Sequence, residues 1–342
     1  SYLQPVGGGV TQGALIGRRR EVRMLRAAMR RASVGEPSVV LLEAETGFGK
    51  TRVLDAAAHD AHRYGLTVHQ LRFGGRGATP AIAVGRPDEV VDRARQVPTL
   101  ITVDDAAEAA ATELAWLQEL VVALETAAPD VAPVVVVAAR RTGPLADADR
   151  TVTTTDPLAP LARHTIVSRH RLRPIDRSGI VALLRTAPSL AAVADRAETI
   201  APISERATDG NPGLLVSLDT GGSDPHVSHP PTTVNDLSLA LRVGASECAA
   251  ADVLLARLAP VTTEVVSTIA AFGEPCPLDL VAAVHDLDHD TTLDALADGE
   301  DLGVLRFATG RADIAHPVIR HRVLTSTGRA RPGTEGSPPK WT

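Results

Sequence analysis

The 342-residue chain is poor in lysine, aromatics and cysteine, and it has no long apolar run. Each shortage excludes something. Cys248 and Cys276 are too few for a disulfide framework, so a reducing cytoplasmic setting is expected. No apolar stretch approaches the ~20 residues needed to cross a bilayer, and no membrane role is expected. Residues 1–13 lack a charged segment followed by an apolar one and do not read as a secretion signal. The chain opens on Ser1 rather than Met, so it reads as processed or as part of a longer protein. The net charge of −6 gives no bulk electrostatic grip on nucleic acid. Aromatics make up 2% against a hydrophobic fraction of 44%, so the cores must be built from Ala, Val and Leu. The length suits two domains or three small ones. The histidines show no metal-ligand spacing, and neither a Gly-x-Ser-x-Gly elbow nor a Cys/His nucleophile pattern occurs.

The lysine shortage is the one that points to a site. Lys50 and Lys340 are the only lysines, and all the rest of the 35 Lys plus Arg residues are arginine. Lys50 lies in Ala44-Glu45-Thr46-Gly47-Phe48-Gly49-Lys50-Thr51, where a phosphate-binding loop places its lysine. A compact ammonium on a flexible stem can follow a β/γ-phosphate, whereas a planar guanidinium fits such a loop poorly. The flanking pattern agrees: residues 38–43 read as a buried strand and 50–64 as a helix. In that context the N–H groups of Thr46 to Lys50 would form an anion nest at a helix N-terminus. Gly47 and Gly49 would allow the turn, Phe48 lies between them, and Thr51 would ligate Mg²⁺. A strand over 99–103 ends in Asp104-Asp105, which fits a Walker B pair. Asp104 is the candidate to hold Mg²⁺, through water, and Asp105 the candidate to polarise an attacking water. Read alone, the same pair could simply cap the next helix. Arg140, ending a strand over 133–139, is the candidate γ-phosphate sensor, though a lone strand-end arginine in an arginine-rich chain can equally be solvated.

Further patterning gives an α/β first half with a mainly parallel sheet. Strands are expected over 66–73 and 164–171, and helices over 87–96 and around Leu114 to Leu124. Helices over 176–185 and 190–207 would form a lid. Residues 221–233 read as a linker. A mostly helical region follows, with a hairpin at 304–316 and a last helix opened by His316-Pro317. The seven arginines of residues 18–31 read mainly as the solvated face of an amphipathic helix.

These pieces, in order, resemble the STAND-class AAA-like ATPases, including LuxR-type regulators with a large ATP-binding region. The resemblance runs through Leu15-Ile16-Gly17-Arg18-Arg19-Arg20-Glu21 with Leu25, then AETGFGKT, LITVDD, VVVVAAR and ATDGNPGLL, and spans residues 14 to 325. It implies ATP and ADP as ligands with Mg²⁺, adenine near Ile16 and Gly17, and Pro212 as a reporter of nucleotide state. It implies a P-loop NTPase core over 14–173, a helical lid over 174–220, the linker 221–233 and a winged-helix domain over 234–325. Tails over 1–13 and 326–342 are expected to be disordered. The implied role is an ATP-binding switch with slow hydrolysis in a cytoplasmic transcription regulator, acting on a protein partner or a second copy of itself. Two rivals remain open: a DNA-associated motor or loader ATPase, and a non-hydrolysing nucleotide-bound scaffold.

Overall fold

The computed structural model describes residues 15–74, 81–127, 134–141, 145, 158–218 and 232–329. The expected tail over 1–13, residues 330–342 of the tail expected over 326–342, and most of the linker (221–231) lie outside the described residues. The chain divides into two compact units, one of residues 1–142 and 152–186, the other of residues 143–151 and 187–342.

The first unit is a five-stranded parallel sheet. Its strands are β1 (Ser38–Ala44), β2 (Thr67–Arg72), β3 (Thr99–Asp104), β4 (Val134–Arg141) and β5 (Val167–Arg171), in the order β2-β3-β4-β1-β5. β1 and β3 are buried at every position, as parallel strands covered on both faces must be. Alternation along β1 divides the core. Val39 and Leu41 face helices α3 (Pro87–Ala94) and α4 (Ala111–Thr126) through Val90, Val91, Leu117, Leu120 and Leu124. Val40 and Leu42 face α1 (Arg19–Ala32) and α2 (Lys50–Ala61) through Leu25, Met29, Val53, Leu54 and Ala57. Trp116 of α4 donates its indole N–H to the Gly85 carbonyl at 2.8 Å, which fixes α4 against the turn before α3. Helix α5 (Arg177–Thr186) closes this unit.

The solvated-arginine reading of α1 holds for Arg19, Arg20, Arg23, Arg30 and Arg31, which are exposed. Arg26 reaches Asp60 of α2 at 2.6 Å. Arg18 departs from it and is buried.

The second unit begins with 3-10 turns over Pro188–Arg196 and helix α6 (Ala197–Thr208). Asp209 and Gly210 both take left-handed backbone and end α6. Short helix α7 (Pro212–Val216) follows, and after it α8 (Val234–Leu239), α9 (Ala245–Leu255), α10 (Pro260–Phe272), α11 (Leu278–His285) and α12 (His289–Asp301). A three-stranded antiparallel sheet of order β6-β8-β7 combines β6 (Cys276–Pro277), β7 (Leu305–Ala308) and β8 (Arg311–Ile314). The hairpin turns at Thr309-Gly310, where both residues have positive φ. Helix α13 (Pro317–Arg329) completes the unit and continues past residue 326, where a disordered tail was expected. Val265, Ile269, Leu296, Val304, Ile314 and Ile319 form part of its core.

Candidate functional site

The loop between β1 and α2 is built on two glycines. Gly47 and Gly49 both have φ of 85°, a left-handed conformation that other residues adopt only at a cost. A Cβ at Gly49 would meet nothing within 4 Å, so the backbone angle demands glycine there, not crowding. Gly49 is the N-cap of α2 and supplies no side-chain cap. The N–H groups of the first turn are therefore available to an anion, with the helix dipole behind them. Lys50, the first residue of α2, is only 9% exposed. Its Nζ donates to the carbonyl oxygens of Ala44 at 2.9 Å and Glu45 at 2.8 Å, which hold the ammonium over the loop.

On the same helix Thr51 donates its hydroxyl to Asp104 Oδ2 at 2.7 Å. This contact crosses the sheet. β4, not β3, is the neighbour of β1, but α2 packs over both β4 and β3, which lets Thr51 reach the β3 carboxylate. Asp104 is buried, and its Oδ1 accepts the backbone N–H of Asp105 at 3.1 Å. Asp105 has φ of 53° and turns the chain out of the sheet into a 3-10 turn over Ala106–Glu108. Its carboxylate is more open than that of Asp104.

The structure thus brings Thr46, Gly47, Phe48, Gly49, Lys50, Thr51, Asp104 and Asp105 to one edge of the first unit. Arg140 stands on β4 in register with Glu43 of β1, at that same end of the strands. Ile16 and Gly17 lie just before α1. Gly17 has φ of 72°, and a Cβ there would come within 2.7 Å of Ile175. Ile16 also comes close to Gly179 of α5, so the lead-in rests on the start of that helix. Pro212 belongs to the second unit, at the first position of α7, where Asn211 Oδ1 accepts the N–H groups of Gly213 and Leu214.

Sequence reading missed three side chains. Arg18 donates to the Phe48 carbonyl at 2.9 Å and to the Arg173 carbonyl at 2.7 Å, bracing the loop from below. Burial pulls its guanidinium below the ordinary arginine value, and the Glu21 charge resists that shift. Glu43 is buried and accepts a two-point contact from Arg169 of β5 at 2.8 and 3.2 Å. Arg72, the last residue of β2, places Nη2 3.3 Å from Asp104 Oδ2 and Nε 3.9 Å from Asp105 Oδ2.

The residues present suit a nucleoside polyphosphate: a glycine nest, an uncapped helix start, a buried ammonium, and a hydroxyl paired with a buried carboxylate. Among the described residues no group of three or more His, Cys, Asp or Glu side chains could hold a metal alone. A magnesium ion at Thr51 and Asp104 would therefore draw the rest of its oxygen shell from phosphate and water. Among the described residues no helix is long and apolar enough to cross a membrane.

Residues 9–151 match the family model described as Novel STAND NTPase 5, which takes in the loop, the Asp104-Asp105 pair and β4 but less than half of the chain. No curated protein matches the chain. Among solved structures, a RuvB mutant from Thermotoga maritima aligns over 90% of this chain and 94% of its own, at 14% identity and a TM-score of 0.40. Cdc6p from Pyrobaculum aerophilum aligns over 95% and 98%, at 14% identity and a TM-score of 0.42. A STAND protein with a tetratricopeptide repeat sensor from Pyrococcus horikoshii aligns over 87% of this chain and 41% of its own, at 13% identity and a TM-score of 0.32. Likenesses this distant transfer neither activity nor partners. The α/β P-loop NTPase fold is evident from the chain's own strand order and loop.

Proposed function

We propose that this chain is an ATP-binding signal-transduction switch of the STAND type, with slow hydrolysis at most. One observation carries the reading: Lys50 and Thr51 open a helix behind a two-glycine loop, and Thr51 reaches Asp104 at 2.7 Å. In this reading the loop N–H groups and Lys50 hold the phosphates, and Ile16 and Gly17 border the adenine. Thr51 and Asp104 hold Mg²⁺, which would neutralise phosphate charge. Asp105 orients the attacking water, Arg140 senses the γ-phosphate, and Pro212 reports nucleotide state. The lid and the helical region after it read as the output, with residues 234–325 as a winged-helix module of a cytoplasmic, LuxR-like regulator. ATP and ADP must favour different arrangements of the chain for a switch to work.

A DNA motor or loader is disfavoured by the charge of α12. In a winged helix the helix before the hairpin is the one that meets DNA. Here α12 carries Asp290, Asp294, Asp298, Glu300 and Asp301 and neither Lys nor Arg, so it would repel phosphate. A non-hydrolysing scaffold is favoured by one feature, the cation Arg72 held against both acids.

Calorimetry with Mg·ATP and Mg·ADP, on protein stripped of bound nucleotide, tests the reading. The wild type is expected to bind both, with different affinities, and Lys50→Ala to lose about a hundredfold or more. A folded wild type that binds neither would falsify the proposal. Binding with equal affinities and no turnover would favour the scaffold.

A further inference from the structure

Arg72 occupies a constrained position. Its neighbours Leu71 and Phe73 are buried at 4% and 0% exposure, and the Phe73 N–H donates to the Asp104 carbonyl at 3.0 Å. Arg72 and Asp104 are register partners on adjacent parallel strands, so their side chains leave the sheet side by side. The guanidinium therefore reaches Asp104 Oδ2, the oxygen that also accepts the Thr51 hydroxyl. Its Nε stands toward Asp105.

A third carboxylate lies nearby. Asp55 is on α2, one turn beyond Thr51, and interacts with Gln70 of β2. Partial burial and the Asp104 charge raise its carboxyl above the ordinary value, while the Arg72 charge pulls the other way. Arg72 thus pairs with Asp104 and Asp105 while its charge reaches Asp55, and its side chain is half exposed. That exposure leaves room to exchange one carboxylate for another.

We propose that Arg72 is a built-in competitor for the divalent cation, pairing with Asp104 so that nucleotide is held with little dependence on Mg²⁺. The inference rests on the nucleotide site proposed above. A guanidinium on Asp104 Oδ2 offsets the charge that makes this carboxylate attractive to a metal, and two cations on one oxygen repel. Asp104 becomes available to a metal when Arg72 turns toward Asp55 or solvent. The same pairing turns Asp105 toward a cation and away from work as a base. Arg72 is in this sense a positioning residue, and loss of its contact is the step that arms the acid pair.

The test is ADP binding to the full chain by calorimetry, in EDTA and in saturating Mg²⁺, for wild type, Arg72→Gln and Asp55→Asn. The readout is the ratio of the two affinities, which a purely structural strand-end pair would not move. A half-exposed ion pair sets the scale: Arg72→Gln is expected to raise the ratio about fivefold. Asp55→Asn removes the alternative partner and is expected to lower it, which keeps the test open should Arg72→Gln not fold. Ratios unchanged in folded variants that still bind ADP overturn the role of Arg72 and leave the nucleotide site standing. A wild type that binds no ADP in either condition removes the nucleotide site itself, and with it this inference.

Discussion

Both units bury charged side chains, but they do so in different company. In the first unit Lys50, Asp104 and Arg18 gather around one loop, and their partners are shared or are backbone carbonyls. Asp104 Oδ2 serves both Thr51 and Arg72, and Lys50 rests on two carbonyl oxygens. In the second unit Arg320 of α13 is 5% exposed, pairs with Asp313 of β8 and donates to the Ala270 carbonyl at 3.1 Å. Arg306 of β7 lies between Asp313, at 3.9 Å, and Asp209, at 3.6 Å. The second arrangement staples a helix to a hairpin. In the reading proposed above, the first offers contacts that phosphate oxygens or a metal would take over. What separates the two is the setting rather than the partners, since Asp313 too is shared by two arginines: one cluster surrounds the start of a helix that has no side-chain cap, the other joins elements of a single core.

The largest effect should come from breaking the staple. Arg320→Ala leaves Asp313 without its buried partner and is expected to cost about 3 kcal/mol, read from urea unfolding. ADP affinity should stay within experimental error, and a parallel loss of affinity would undo the contrast between the units. Arg18→Ala sharpens it from the other side. Removing a buried donor from two carbonyls should cost about 2 kcal/mol and also weaken ADP binding severalfold, because the loop loses its brace. An unchanged ADP affinity would make Arg18 a staple like Arg320.

The smallest effect is a pH dependence away from the loop. Glu125, near the end of α4, accepts the Thr165 hydroxyl at 2.6 Å, His164 Nδ1 at 2.7 Å and the Thr165 N–H at 2.7 Å. The Thr165 hydroxyl, then His164 and the Thr165 N–H, hold its carboxyl down from 4.5 to about 2. A depressed carboxyl contributes stability that is complete above pH 4.5 and is lost as pH falls toward about 2. Glu125→Gln should flatten the acid limb of thermal stability across that window. A limb as steep as in wild type would assign the slope to other carboxylates.

Much of the first unit was legible because its signals are local. An apolar run, a Gly-x-Gly-Lys-Thr loop and a helix form one continuous segment, and β1, the loop and α2 fall where the pattern puts them. The strand ending in Asp104 and the helix around Leu117 and Leu120 are equally local. The residues before β5 were not: Leu161–Arg163 form a 3-10 turn, and the strand starts only at Val167. β6 is two residues long and gives no period to read. Strand order was also hidden, since nothing in the sequence says that β4 separates β1 from β3. Arg18 and Arg72 went unrecognised for one physical reason. Each looks like any solvated arginine until folding brings a carbonyl or a carboxylate from a distant segment beside it. Arg72 has a signal in the pairing register, where it stands opposite Asp104, but that register exists only once β2 and β3 are aligned.

Trp116 is one of two tryptophans in the chain, the other being Trp341. Its ring is 8% exposed, and it sits on the helix that follows the Asp104-Asp105 turn. With Trp341→Phe the molecule would carry a single tryptophan, joined by a short stretch of backbone to the acid pair. A change in the turn on nucleotide binding would then appear as a shift in intrinsic fluorescence, on the millisecond scale of a stopped-flow trace, with no label attached.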